Sequence, residues 1–326
     1  MPAQDARQST AAHGADVVRI ENEAKLLVPE AQVESVWTYL QQRYQDCQWL
    51  DRDGSRIRAA FGDETFVDVY FDTPDLRVLR DHNGVRVRSR VVLDGAAIEK
   101  DGRELLQLKL DRNDGSGMAR SEIKFEIRRS TGGTSDDGSH VLLGMVRRSH
   151  REAAKARLRE AGYDPYALQR VLTITQSRRR VYLSDASGPL LTTTLDVCTS
   201  TEFATAIRWT EVEIELNEIR YTEAGPAQRA WMERVQADVQ ADLCARFPDV
   251  RQDQTPKYEK AFAMLEAGSW MPVRRMLRWR LTPEDLHAPA MALVVGSIVA
   301  WSWVRRARQR RSDPVLTGER LAPPAW

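Results

Sequence analysis

The stretch "IENEAKLLVPE", Ile20 to Glu30, places Glu21, Glu23 and Lys25 at alternate positions, with Ile20, Asn22, Ala24 and Leu26 around and between them. A period of two is the mark of a β-strand, whose successive side chains point to opposite faces. The three charges then share one face and the more apolar residues share the other. Strands ordinarily send charge to bulk water, so the fold turns on what this charged face looks into.

The same division returns along the chain. Arg86, Arg88 and Arg90 alternate with apolar residues in "GVRVRSRVVL" (Gly84–Leu93), Gln107 with Lys109 in "ELLQLKL", and Arg120, Glu122, Lys124 and Glu126 in "ARSEIKFEI". Further strands are "FVDVYFDTPD" (Phe66–Asp75), "VLTITQSRRRVYL" (Val171–Leu183), "LLTTTLDVCT" (Leu190–Thr199) and "RWTEVEIELNEI" (Arg208–Ile219), the last with Glu211, Glu213 and Glu215 on one side. In "SRRR", alternation puts Arg178 and Arg180 on one face and Arg179 on the other. Helices are expected from Pro29 to about Gln45, from Arg148 to Ala161, from Gly225 to Phe247 and from Thr255 to Leu265. About eight strands in antiparallel hairpins with a few helices predict an α+β fold, an eight-stranded antiparallel closed β-barrel. The helices would cover its apolar outer face, and the charged faces would line its lumen. A half-solvated open sheet is the plainer alternative; six charged strands in succession favour the lumen.

Composition is consistent with this. Lys plus Arg (48) nearly equals Asp plus Glu (47) among 326 residues, so no overall charge bias points to nucleic acid. Cys47, Cys198 and Cys244 are scattered, without a disulfide framework or zinc spacing, which suits a reducing cytoplasm. Residues 1–16 read as a polar tail without a secretory h-region, and 17–266 as one domain. In the extension 267–326, Ala288 to Val304 carries no charge and is flanked by "RRARQRR". Seventeen residues sit at the lower limit of a spanning helix, so 288–304 reads either as an anchor to the inner face of a membrane or as an interfacial or packed helix.

Glutamates from the first and last barrel strands form the hard oxygen set that Mg²⁺ or Mn²⁺ prefers. Lys25, Arg86, Arg88, Lys109, Arg120, Arg178, Arg180 and Lys257 surround it with cations, which calls for a polyanion such as a triphosphate or polyphosphate. No phosphate-cradling G-x-x-x-x-G-K-[ST] occurs. Asp196 reads equally as a metal-side carboxylate or a strand-end cap, His82 as a turn residue, and Lys124 and Glu126 as partners of their neighbours.

The chain resembles the CYTH superfamily, the triphosphate tunnel metalloenzymes. The ExExK signature stands at Glu21-Asn22-Glu23-Ala24-Lys25, and the "YFDTPD…L…G…LRxR" segment at Tyr70–Asp75, Leu79, Gly84 and Arg86-Val87-Arg88. Lys109, Arg120 with Glu122, Arg178 and Arg180, Asp196, the Glu211–Glu215 strand and Lys257 follow in the family's order. The resemblance implies Glu21, Glu23, Glu122, Asp196, Glu211, Glu213 and Glu215 as metal-side carboxylates. It implies phosphate contacts by Lys25, Arg86, Arg88, Lys109, Arg120, Arg178, Arg180 and Lys257, with Glu213 and Lys25 closest to the chemistry. The activity implied is metal-dependent hydrolysis of inorganic triphosphate or a small organic triphosphate. The same tunnel also hosts VTC-type polyphosphate polymerases and one class of adenylate cyclase, and a non-catalytic polyanion-binding module would need the cations alone.

Overall fold

The computed structural model describes residues 18–45, 57–94, 97–111, 119–127, 141–202 and 205–268. The expected tail 1–16, residues 113–117 and 130–140, and the extension beyond Gly268 with its 288–304 segment lie outside the described residues. Among the described residues no helix is long and apolar enough to cross a membrane.

Eight strands close a barrel: β1 (Arg19–Val28), β2 (Arg58–Asp72), β3 (Gly84–Asp94), β4 (Ala97–Asp111), β5 (Ala119–Glu126), β6 (Gln169–Asp185), β7 (Gly188–Glu202) and β8 (Thr205–Leu216). Their order is β5-β4-β3-β2-β6-β7-β8-β1, every pairing antiparallel. Closure falls on the opening motif. Glu23–Val28 of β1 pair with β8, while Arg19–Asn22 pair with β5. A two-residue strand, β9 (Arg251–Gln252), takes the edge of β1 at Leu26 and Leu27.

Helices cover the apolar outer face as the alternation requires. Helix α1 (Val33–Gln45) packs Val36, Trp37 and Leu40 against the backs of β1, β6, β7 and β8; helices α2 (Arg77–Arg80), α3 (Val141–Met145) and α4 (Arg151–Glu160) follow in sequence. Leu142 of α3 and Leu158 of α4 cover Val85, Leu106, Leu108 and Phe125 on β3–β5. After β8 come α5 (Glu218–Glu223) and α6 (Pro226–Arg246), whose Met232, Val235 and Val239 complete the first cover. Each buried side chain of this size contributes about 1.5–3 kcal/mol. The last helix, α7 (Lys257–Gly268), packs differently: Tyr258, Phe262 and Leu265 meet Leu172, Ile174 and Trp209, and Tyr258 stacks on Tyr70 at 4.9 Å.

Some boundaries differ from expectation for identifiable reasons. Strand β2 starts eight residues before Phe66 and stops at Asp72, where Thr73-Pro74 was expected to end it. Asp72 turns the chain there: its carboxylate accepts the N–H groups of Thr73, Val78 and Leu79 at 2.7, 2.8 and 2.9 Å and the hydroxyl of Tyr258 at 2.7 Å. Strand β8 ends at Leu216 instead of Ile219, because Asn217 accepts the N–H of Arg220 at 2.9 Å and caps α5. Helix α4 stops before Gly162, which adopts φ +83°.

Candidate active site

The inward faces of the strands bring the charged residues together. Lys25 Nζ lies 2.5 Å from Glu23 and 3.8 Å from Glu213, its partner in the β1–β8 register. Lys109 meets Glu21 at 2.5 Å. Burial works to lower the pKa of Lys25, but Glu23 and Glu213 outweigh it and raise it, so the ammonium stays charged. An opening into the barrel, about 430 Å³ with its mouth, is lined by Glu23, Lys25, Arg86, Lys109, Arg120 and Glu213 together with Lys257 and Tyr258 of α7.

Among the described residues, carboxylates gather in two groups of three. In the first, Asp196, Glu211 and Glu213 meet Lys257 Nζ at 2.7, 3.0 and 2.6 Å. Arg178 adds a two-pronged contact to Asp196 and reaches Glu213 at 2.6 Å. Burial pushes the Glu213 carboxyl up, yet Lys257, Arg178 and Lys25 outweigh it and hold it well below the usual range. Asp196 is fully buried in the middle of β7, so the strand-end cap reading is excluded.

The second group joins Glu21 of β1 and Glu122 of β5 to Glu218, the first residue of α5. Lys124 bridges Glu122 at 2.6 Å and Glu218 at 2.8 Å, as expected of a residue that pairs with its neighbours. Glu21 keeps one buried oxygen, Oε2, without a hydrogen-bond partner. Burial and then Glu23 push its carboxyl up to about 7 against the pull of Lys109, and burial with Glu122 raises Glu218 well above its ordinary value. Against burial, Lys124 and Lys109 hold Glu122 well below the usual carboxylate range, so the under-neutralised oxygens are those of Glu21 and Glu218, and these fit a hard divalent cation. Glu23 and Glu215 stand opposite each other beside this group in the β1–β8 register.

The arginines divide in the same way. Arg178 and Arg180 point inward, whereas Arg179 lies outside, paired with Glu34 of α1 at 2.5 Å and set over the Trp37 ring. Arg88 grips Asp68 with two contacts of 2.7 Å, and Arg86 reaches the same carboxylate at 3.1 Å and Gln107 at 2.8 Å. Arg180 sits away from the opening with Glu64 at 2.7 Å. The guanidiniums of Arg88, Arg178 and Arg180 lie 4.8, 5.7 and 5.6 Å from the Phe66 ring centre.

Several of these residues are additions to the expected set. Asp68, fully buried, and Phe66 share the face of Tyr70 in "FVDVYF", and that alternation was the available signal. Glu64 continues the same face. Glu218 and Lys260 lie on helices, where strand alternation says nothing. His82, in the turn before β3 with φ +56°, pairs with Glu259 of α7 at 3.2 Å.

A family model for the CYTH domain matches residues 39–233, more than half of the chain. The ExExK motif and Lys257 lie outside the matched range; β1 places the first and α7 the second. No curated protein matches in sequence. Similar solved structures include a Bacillus halodurans protein provisionally assigned as an adenylate cyclase (16% identity, 75% of this chain and 98% of that one, TM-score 0.44). Another is HpAC1 of Hippeastrum, for which a dominant triphosphatase activity is described (16%, 78% and 98%, TM-score 0.44). The S. pombe RNA triphosphatase Pct1 is more distant (13%, 72% and 81%, TM-score 0.31). With the family match spanning β2 to β8 and the charged lumen in place, the chain belongs to the CYTH domain family.

Proposed function

We propose that the protein is a divalent-metal-dependent hydrolase of inorganic triphosphate or a small organic triphosphate, and that residues 17–266 carry this activity as one domain. The observation that supports it best is the convergence of Lys25, Arg86, Lys109 and Arg120 on one opening beside Glu23 and Glu213. With Lys257, five cations at one mouth answer the charge of a phosphate chain, the guanidiniums by paired hydrogen bonds and the ammoniums as point charges. Arg88, Arg178 and Arg180 extend the cationic lining inside the barrel.

Glu21, Glu122 and Glu218, with Glu23 and Glu215 beside them, would hold Mg²⁺ or Mn²⁺. A divalent cation bound there supplies Lewis-acid withdrawal of charge from the phosphoryl group. Lys25, Arg86, Lys109 and Arg120 fix the chain and stabilise the charge that builds on its oxygens. Glu213, held ionised by Lys257 and Arg178, accepts a hydrogen bond from water and orients it in line with the terminal phosphorus.

The test is a panel of tripolyphosphate, thiamine triphosphate, ATP and polyphosphate with Mg²⁺ or Mn²⁺, assayed for phosphate, pyrophosphate, cyclic AMP and polymer. Phosphate release from tripolyphosphate or a small organic triphosphate, stopped by a chelator, is the expected result. Release from none of them would defeat the proposal.

A further inference from the structure

Helix α7 brings two lysines one turn apart to the barrel, and only Lys257 lines the opening. Lys260 is 8% exposed, with Nζ 2.7 Å from Glu211 Oε2 and 3.0 Å from Asp253 Oδ2. Glu211 is fully buried; its Oε2 also accepts the indole N–H of Trp209 at 2.9 Å, and its Oε1 lies 3.0 Å from Lys257. The backbone N–H of Asp253 donates to the carbonyl of Lys25 at 3.0 Å. Lys260 thus ties α7 to β8 and to the segment hydrogen-bonded onto β1 beside Lys25.

We propose that Lys260 is a positioning residue that sets Lys257 between Asp196 and Glu213, and that Glu211 serves as its anchor rather than as a ligand of metal or substrate. The proposal rests on the triphosphatase reading for its kinetic consequence. Packing alone does not call for a buried ion pair here, because apolar residues of similar volume stabilise a buried site as well or better. What the pair fixes is the rotation and axial setting of the helix. Lys257 and Lys260 both lie against Glu211, and residues three apart share a helix face. Without Lys260, the charge of Glu211 falls to Lys257 alone and draws it from Glu213, the carboxylate at the opening. Small displacements at such a site cost rate out of proportion to their size.

The experiment compares Lys260→Met, Lys260→Arg, Lys257→Met and the double Met variant in tripolyphosphate hydrolysis. Lys260→Met is expected to lower kcat between about tenfold and a hundredfold with KM little changed, and Lys260→Arg to recover most of the loss. In the Lys257→Met background, Lys260→Met should cost less than about threefold more, as expected of residues acting as a unit. An unchanged kcat, or a full second loss in the double variant, would overturn the proposal. Should Lys260→Met fail to fold, Asp253→Asn removes one of its two carboxylates and should move kcat in the same direction. No change there would likewise overturn it. If the wild type neither binds tripolyphosphate by calorimetry nor hydrolyses it, the triphosphatase reading falls. The positioning role is then read from hydrogen exchange, which Lys260→Met should speed across Lys257–Gly268 and at Asp253; unchanged exchange would overturn it.

Discussion

Asp196, Glu211 and Glu213 stand among buried cations, with Lys257 touching all three, Arg178 reaching two and Lys260 holding Glu211. Glu21, Glu122 and Glu218 form the other group, but their lysines, Lys109 and Lys124, are 16% and 23% exposed, and Glu21 Oε2 has no hydrogen-bond partner. Glu213 is held well below the ordinary carboxylate range; in the second group Lys124 and Lys109 hold Glu122 low as well, but Glu21 is pushed up to about 7 and Glu218 is raised. Three carboxylates therefore do not make a metal site on their own. Where the fold supplies its own cations, the charge is already answered; where it does not, an external cation lowers the free energy most.

The strongest way to break this comparison is to remove a charge at the opening. Lys25→Ala and Glu213→Gln should each lower turnover by about 10²–10³-fold, the usual loss for one pre-organised polar group, with the circular dichroism spectrum retained. Wild-type rates in either would sink the site assignment.

Next in size is Asp68→Asn, which leaves Arg86 and Arg88 without their shared buried carboxylate and should cost about 3 kcal/mol or more at pH 7 by denaturant titration. The pH dependence has a definite sign. Burial pushes Asp68 up, but Arg86 and then Arg88 outweigh it and hold its carboxyl below the normal value. Its stabilisation is complete above the unfolded-state pKa, about 4, and is lost as pH falls below that value toward the folded one. Acidification below about pH 4 should thus cost the wild type more stability than the variant, and parallel profiles would count against the pairing.

A sharper comparison comes from Mn²⁺ calorimetry. Glu21→Gln should weaken Mn²⁺ binding by about tenfold or more, while Asp196→Asn should change it little, because Lys257 and Arg178 already neutralise that group. Equal losses would erase the distinction between the two clusters. The smallest effect is expected outside the barrel, where Arg179→Ala breaks a surface pair with Glu34. It should cost less than about 1 kcal/mol and leave kcat unchanged; a large kinetic effect would mean that the inward and outward faces were misread.

How far the site was legible follows from the type of element. That Arg178 and Arg180 share one face and Arg179 the other, and that Glu21, Glu23 and Lys25 share a face, could be read directly, because alternation survives closure of the barrel; which arginines of "SRRR" point inward was decided by the closed barrel. Asp68 could have been read by the same rule from Phe66 and Tyr70. Glu218 and Lys260 could not. They sit beyond the strands, and their position depends on where α5 and α7 dock against residues far away in the chain.

The amino-acid sequence by itself determined which residues face the lumen and which face the covering helices, since a period of two assigns every strand residue to one side and apolar faces must be buried. Only the tertiary structure decided which charge meets which. Strand register set Lys25 opposite Glu213, and the docking of α7 placed Lys257 among one set of carboxylates and left Glu21 under-neutralised. Such pairings act over a few ångströms between residues up to two hundred positions apart, and local sequence carries no record of that distance.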